Sequence, residues 1–183
     1  KPQHMSTYLR NFLRLKQGQS TLDPRLAIYY ATTRCNLNCT YCEDFGARRN
    51  GEAVTTTLDD AKKILSIIRD GVKNLWITGG DPLLAPHLFD LMLFARQDLR
   101  FREISLITNG TLLSQHLNLL PLLDRLVISL DSVEPSALAA VSLPNEQSQS
   151  VIAAIEVAAP LQKEHDFKLI LNAVITHETL SSM

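Results

Sequence analysis

The chain is short of cysteine, of net charge and of long apolar runs, and each shortage closes off a class of protein. Its three cysteines all fall between positions 35 and 42. An odd, clustered set is a poor disulfide framework and fits a reducing, cytoplasmic setting better. Eighteen Lys and Arg against nineteen Asp and Glu leave a formal net charge of −1, which removes the electrostatic basis for gripping a polyanion. No apolar run reaches the roughly 18–20 residues needed to cross a bilayer. Residues Lys1 to Lys16 mix charges with short apolar pieces, so the start does not read as a secretory signal. There is no internal repeat and no low-complexity segment. A hydrophobic content of 45% in 183 residues supplies enough apolar surface for one domain with a real core, and excludes disorder.

The expected elements alternate along the chain. His4-Met5 reads as a cloning scar, so Lys1 to His4 receive no structural weight. Ser6 to Lys16 reads as a short amphipathic helix through Tyr8, Leu9, Phe12, Leu13 and Leu15. It forms a helical extension over residues 1–24, ahead of a core spanning 25–183. Leu26 to Thr33 is β-branched and aromatic and reads as the first strand. A helix is expected over Leu58–Arg69, with Thr57 as N-cap and Asp60 three residues on, ended by Gly71. Strands are expected at Asn74–Thr78, Ile104–Thr108, Arg125–Asp131 and Phe167–Thr176. Helices are expected at Pro86–Gln97, Leu113–Leu123 (distorted by Pro121), Pro135–Val141 and Ser148–Glu164 (kinked or broken at Pro160).

These strands are short continuous apolar runs such as ISLIT and LVISL. Such runs suit a parallel sheet covered on both faces, and the alternation of strands and helices implies an α/β fold. The pattern alone does not separate an open doubly wound sheet from a partial barrel. The polar and glycine-containing signals gather at the C-terminal ends of the strands, the edge where α/β folds bind ligands.

The loop after the first strand reads Thr33-Arg34-Cys35-Asn36-Leu37-Asn38-Cys39-Thr40-Tyr41-Cys42. Three thiolates on one short loop can meet at one metal centre, and soft thiolates select zinc, cuprous copper or iron–sulfur clusters. Structural zinc normally takes four protein ligands, and no fourth is supplied by the spacing. An iron–sulfur cube held by three cysteines leaves one iron open. Three readings stand at this point: a cluster enzyme, a non-catalytic zinc- or metal-binding module, and a thiol redox protein using Cys39 and Cys42.

C-x3-C-x2-C after the first strand of a βα domain resembles the signature of the radical S-adenosylmethionine superfamily, and the flanking Arg34, Asn36, Leu37 and Tyr41 resemble it too. The resemblance implies a partial (β/α)6-type barrel, an incomplete TIM-like barrel with five βα units visible. It implies a [4Fe–4S] cluster on Cys35, Cys39 and Cys42 whose open iron chelates S-adenosylmethionine. It further implies reductive cleavage of that cofactor to a 5′-deoxyadenosyl radical, which acts on a small-molecule or peptide substrate. The electron donor would be a flavodoxin or ferredoxin. Arg48 and Arg49 form either a solvated patch or the docking surface for such an acidic donor.

Other segments carry the resemblance further. Gly79-Gly80-Asp81-Pro82 is similar to the family's GGE motif, whose segment contacts the methionine amino group; here aspartate replaces glutamate and loses one methylene of reach. Thr108-Asn109-Gly110 resembles a T-N-G found after the third strand, and Ser129-Leu130-Asp131 an S-L-D after the fourth. The backbone of Tyr41 would lie near the adenine. Thr108, Asn109, Ser129 and Asp131 are candidate cofactor contacts. Asn172 is expected inside an apolar strand, where a buried amide must find a partner, with Val174 on the same face near the adenine. Many S-L-D members carry an arginine about a dozen residues later for the cofactor carboxylate, and Ser132 to Ser150 contains no Lys or Arg. A complete core usually has six βα units, so this chain is expected to be a truncated version.

Overall fold

The computed structural model describes residues 2–42, 53–142 and 145–180. In chain order the elements are α1 (Pro2–Lys16), β1 (Ala27–Thr32), α2 (Leu58–Gly71), β2 (Asn74–Gly79), α3 (Leu88–Gln97), β3 (Glu103–Thr108), β4 (Arg125–Ser129), α4 (Pro135–Val141), α5 (Asn145–His165), β5 (Lys168–Asn172) and α6 (His177–Leu180). The five strands form one parallel sheet in the order β1-β2-β3-β4-β5.

That order separates the two architectures left open by the sequence. A doubly wound sheet starts in the middle and reverses direction, so its strand order is not sequential. Here every strand lies beside the next. Right-handed crossovers then carry each helix to the same side, as in a barrel wall. Alternation along the strands shows the consequence. Leu75, Ile77, Ile104, Leu106, Leu126 and Ile128 are fully buried and share one apolar core with Ala61 and Leu65 of α2, Leu91 and Met92 of α3, and Ala154 and Ala158 of α5. Emptying such a position, for example Leu65→Ala, costs about 2–5 kcal/mol. The intervening residues turn to the concave face, where Glu103 pairs with Arg125 at 3.0 Å near the base and Thr78, Ile107 and Ser129 reach the rim.

Local signals act as anticipated at α2. The Thr57 hydroxyl accepts the Asp60 N–H at 3.2 Å and donates to its carboxylate at 2.9 Å, a reciprocal cap. The helix passes through Gly71 and is capped at Val72.

Elsewhere tertiary context prevails. Leu113–Leu123 forms two 3₁₀ segments, Leu113–Gln115 and Leu117–Leu122, with Pro121 in the second. α5 runs through Pro160 without a break, because Pro160 and Glu156, whose carbonyl it leaves unbonded, both face solvent. α1 begins at Pro2, so residues 2–4 belong to a helix. β5 is shorter than expected and is an edge strand, with Leu171 53% exposed. Asn172 is consequently exposed, which corrects the expectation of a buried amide.

Candidate active site

The rim turn after β2 is built against the root of the cysteine loop. Gly80 N–H donates to the Thr32 carbonyl at 2.9 Å and Asp81 N–H to the Arg34 carbonyl at 2.7 Å. A Cβ on Gly79 would lie 2.1 Å from Thr32 O, and one on Gly80 2.1 Å from Arg34 O. Gly79 also has φ of +142°, open only to glycine. The two glycines therefore serve first to bring the turn against the loop that carries the thiols.

The other end of that loop is tied as well. Leu37 is buried in the core, and Thr40 N–H donates to the Val141 carbonyl at the end of α4 at 2.8 Å. Thr33 N–H donates to Val54 O at 2.8 Å, and Thr32 and Thr55 form an antiparallel bridge with their hydroxyls 2.6 Å apart. These stitches over 54–55 carry no sequence signature. Arg34 is exposed and stands as a solvated charge. Arg48 and Arg49 lie outside the described residues.

Cys35, Cys39 and Cys42 are half-buried and line one cleft of ≈180 Å³ with Gly79, Gly80 and Thr78. Burial pushes the Cys35 thiol up, against a hydrogen bond from Leu37 N–H to its sulfur at 3.4 Å that pulls it down. Burial pushes Cys39 up to about 11, partly offset by the Tyr41 hydroxyl. Among the described residues no three of His, Cys, Asp and Glu form a group that could hold a single metal ion. Three soft thiolates lining one cleft are a donor set that an iron–sulfur cube takes. The thiol redox reading leaves Cys35 in the same cleft without a role.

Asp131 lies two residues past the end of β4, 3% exposed, and ties three segments together. Its Oδ2 accepts the Tyr41 hydroxyl at 2.6 Å and Ser142 Oγ at 3.5 Å, and its Oδ1 accepts Val174 N–H at 2.9 Å. Burial, then this carboxylate, pushes the Tyr41 hydroxyl upward. Ser129, Thr108, Asn109, Tyr41 and Asp131, the candidate cofactor contacts, line the cleft. Asp81 does not: it is fully buried beneath the rim. Asn172 enters only through its carbonyl, which accepts Leu130 N–H at 2.9 Å, and Val174 through its N–H; neither lines the cleft. Ile107 and Ser142 line the cleft without having been singled out, because neither sits in a recognisable motif. Among the described residues no Lys or Arg lines it.

A larger cavity of ≈600 Å³ opens at the opposite end of the strands, between Arg10, Arg25, Lys73 and Arg102. No thiol lines it among the described residues, and its arginines are engaged: Arg10 pairs with Asp23 at 3.0 Å, Arg25 stacks on the Tyr8 ring and Arg102 donates to Asn74 Oδ1 at 3.0 Å.

Residues 29–182 match the family model described as the Radical SAM superfamily. A curated relative, "Probable GTP 3',8-cyclase" of Methanopyrus kandleri, is 32% identical over 168 residues, covering 91% of this chain and 52% of that protein. "GTP 3',8-cyclase" of Staphylococcus saprophyticus is 31% identical over 170 residues, covering 87% and 47%. The chain spans about half the length of these curated relatives. Among solved structures, Streptococcus suis SuiB bound to precursor peptide SuiA superposes with a TM-score of 0.67 at 21% identity, over 94% of this chain and 38% of that one. Native anSMEcpe with bound AdoMet gives 0.63 at 21% identity, over 83% and 44%. Both likenesses concern the fold.

Proposed function

Because the chain belongs to the Radical SAM superfamily, we propose that its rim is the place where S-adenosylmethionine is cleaved reductively for use on a further substrate. The family is one of enzymes that work with a [4Fe–4S] cluster and S-adenosylmethionine, a reductant and a substrate. The observation that carries the reading is the convergence of all three cysteines on one cleft floored by Gly79 and Gly80. When bound, the reduced cluster and its cofactor supply a 5′-deoxyadenosyl radical. Cys35, Cys39 and Cys42 would hold three irons. Loading releases the thiol protons, since only thiolates ligate. Ser129 lines the cleft with a hydroxyl that would orient the cofactor, while Thr108 and Asn109 line it with their polar groups engaged by Asp81, Thr111 and Asn36.

The substrate proposed first is a purine nucleotide of the GTP class, because the curated relatives are named for GTP. Among the described residues the cleft lining offers no cation to a triphosphate. The electron donor is proposed to be a flavodoxin or ferredoxin. No helix among the described residues is long and apolar enough to cross a membrane. Three reduced cysteines favour a cytoplasmic setting.

The test is anaerobic. The chain is reconstituted with iron and sulfide, reduced with dithionite and given S-adenosylmethionine. Release of 5′-deoxyadenosine, lost in Cys39→Ser, is the expected result; a colourless protein that releases none contradicts it. Adding GTP then separates substrate classes. Conversion of GTP supports the nucleotide reading, and cleavage that leaves GTP intact removes it.

A further inference from the structure

Three polar side chains interlock where the cysteine loop meets the turn after β3. Asn109 Oδ1 accepts the Thr111 backbone N–H at 3.0 Å and the Thr111 hydroxyl at 2.7 Å. A backbone N–H can only donate, so the amide oxygen is fixed on that side and Nδ2 must face away from it. There Nδ2 donates to Asn36 Oδ1 at 2.8 Å and reaches Cys35 Sγ at 4.0 Å, the outer limit for a bulky sulfur acceptor. Asn36 Nδ2 donates in turn to Thr111 Oγ1 at 2.8 Å, which closes the ring.

The backbone beneath this ring is held by Asp81. Its Oδ2 accepts Asn109 N–H at 3.3 Å, its Oδ1 accepts Leu83 N–H at 2.9 Å, and the Thr108 hydroxyl lies 3.0 Å from both oxygens. A carboxylate aimed at a cofactor would present its oxygens to the cleft. Those of Asp81 are engaged below it, and aspartate in place of glutamate supplies the short stem that keeps them there.

We propose that Asn109 tunes the reduction potential of the cluster by donating from Nδ2 to Cys35 Sγ, and that Asp81 is the residue that positions it. The inference rests on the radical reading given above. Cys35 is the thiolate that receives N–H groups from two directions, Leu37 on its own loop and Asn109 across the rim. Reduction adds negative charge that spreads onto the ligand sulfurs. A hydrogen bond to one of them stabilises the reduced state more than the oxidised state and raises the potential.

The experiment is an EPR-monitored redox titration of the whole reconstituted chain without S-adenosylmethionine. Asn109→Ala shifts the midpoint potential to more negative values. Asn109→Asp keeps the shape but replaces a donor with a charged acceptor, so its shift is larger. Asp81→Glu keeps the charge but moves the accepting oxygens away from the Asn109 N–H, so it shifts the potential in the same direction by a smaller amount. Thr111→Val touches no cluster ligand and removes the hydroxyl that bridges Asn109 and Asn36 while leaving the backbone N–H on the amide oxygen, so it loosens the ring and gives a smaller shift of the same sign; it provides the reading if the Asn109 variants lose iron. Potentials equal to the parent's at equal iron content overturn the proposal. So does an unchanged potential accompanied by weaker S-adenosylmethionine binding, which assigns Asn109 to the cofactor instead. A parent chain that takes up no iron overturns both this inference and the radical reading. A parent that releases 5′-deoxyadenosine while every variant keeps its potential overturns the tuning alone.

Discussion

Cys39 shows how the protein around the thiols sets the conditions for loading them. Burial holds its proton up to about 11, against an ordinary thiol value near 9. In the unfolded chain that thiol ionises first. Between about pH 9 and 11 the folded metal-free chain therefore binds more protons than the unfolded one, and its stability falls as pH rises through that window; below it Cys39 adds no slope. Alkylation of Cys39 in the metal-free chain, followed by peptide mass spectrometry, should keep accelerating from pH 9 to pH 11. A plateau at pH 9 contradicts the assignment. Gly80 makes a second residue-scale prediction. A methyl group there would meet the backbone carbonyl of Arg34, which cannot move aside as a side chain would. Gly80→Ala should cost about 1–3 kcal/mol in denaturant unfolding and loosen the cysteine loop. Unchanged stability with normal iron uptake speaks against the close approach described here. Much of the site was legible at this scale, because the cysteine spacing and the two glycines are local patterns. The direction of the Asp81 carboxylate was not. It depends on Thr108 and Asn109, some 27 residues away in sequence, and no local pattern reports it.

At the scale of elements, the strands are joined at their base as firmly as at the rim. Asp124 precedes β4 and reaches both neighbouring strands. Its N–H donates to Ile104 O at 2.9 Å, its carbonyl accepts Lys168 N–H at 2.9 Å, and its carboxylate accepts Ile104 N–H at 2.7 Å and pairs with Arg96 of α3. Arg96 in turn donates to Leu122 O at 2.7 Å. Asp124→Ala leaves the backbone links but removes the acceptor of Ile104 N–H and one of the acceptors of Arg96. The side chain is 39% exposed, so water replaces part of what is lost. The expected cost is about 1–2 kcal/mol in chemical denaturation; a change within a few tenths of zero contradicts the role. Strand positions were legible because short apolar runs between breakers survive in any parallel sheet. The buried status of β5 was not, because an apolar run looks the same in an edge strand as in a central one. Asn172 was misread for that reason. Leu113–Leu123 was misread because Pro121 and the packing of Leu119 and Leu120 into the core favour tight 3₁₀ turns over a regular helix.

For the whole molecule, the sequential strand order decides the architecture and with it the location of chemistry. All five strands run parallel, so all five C-terminal ends meet one rim, and the cysteine loop, the glycine turn, Asn109 and Ser129 arrive there together. The alternating α/β pattern was legible from the sequence, whereas strand order was not, since crossovers of similar length serve both sheet types. The central claim is that three cysteines hold a four-iron cluster with one iron open to S-adenosylmethionine. The most direct measurement is the EPR spectrum of the reduced, iron-reconstituted chain before and after adding that cofactor. About four irons per chain and a signal that changes on addition are predicted. A chain without iron, or a cluster signal indifferent to the cofactor, would contradict the account.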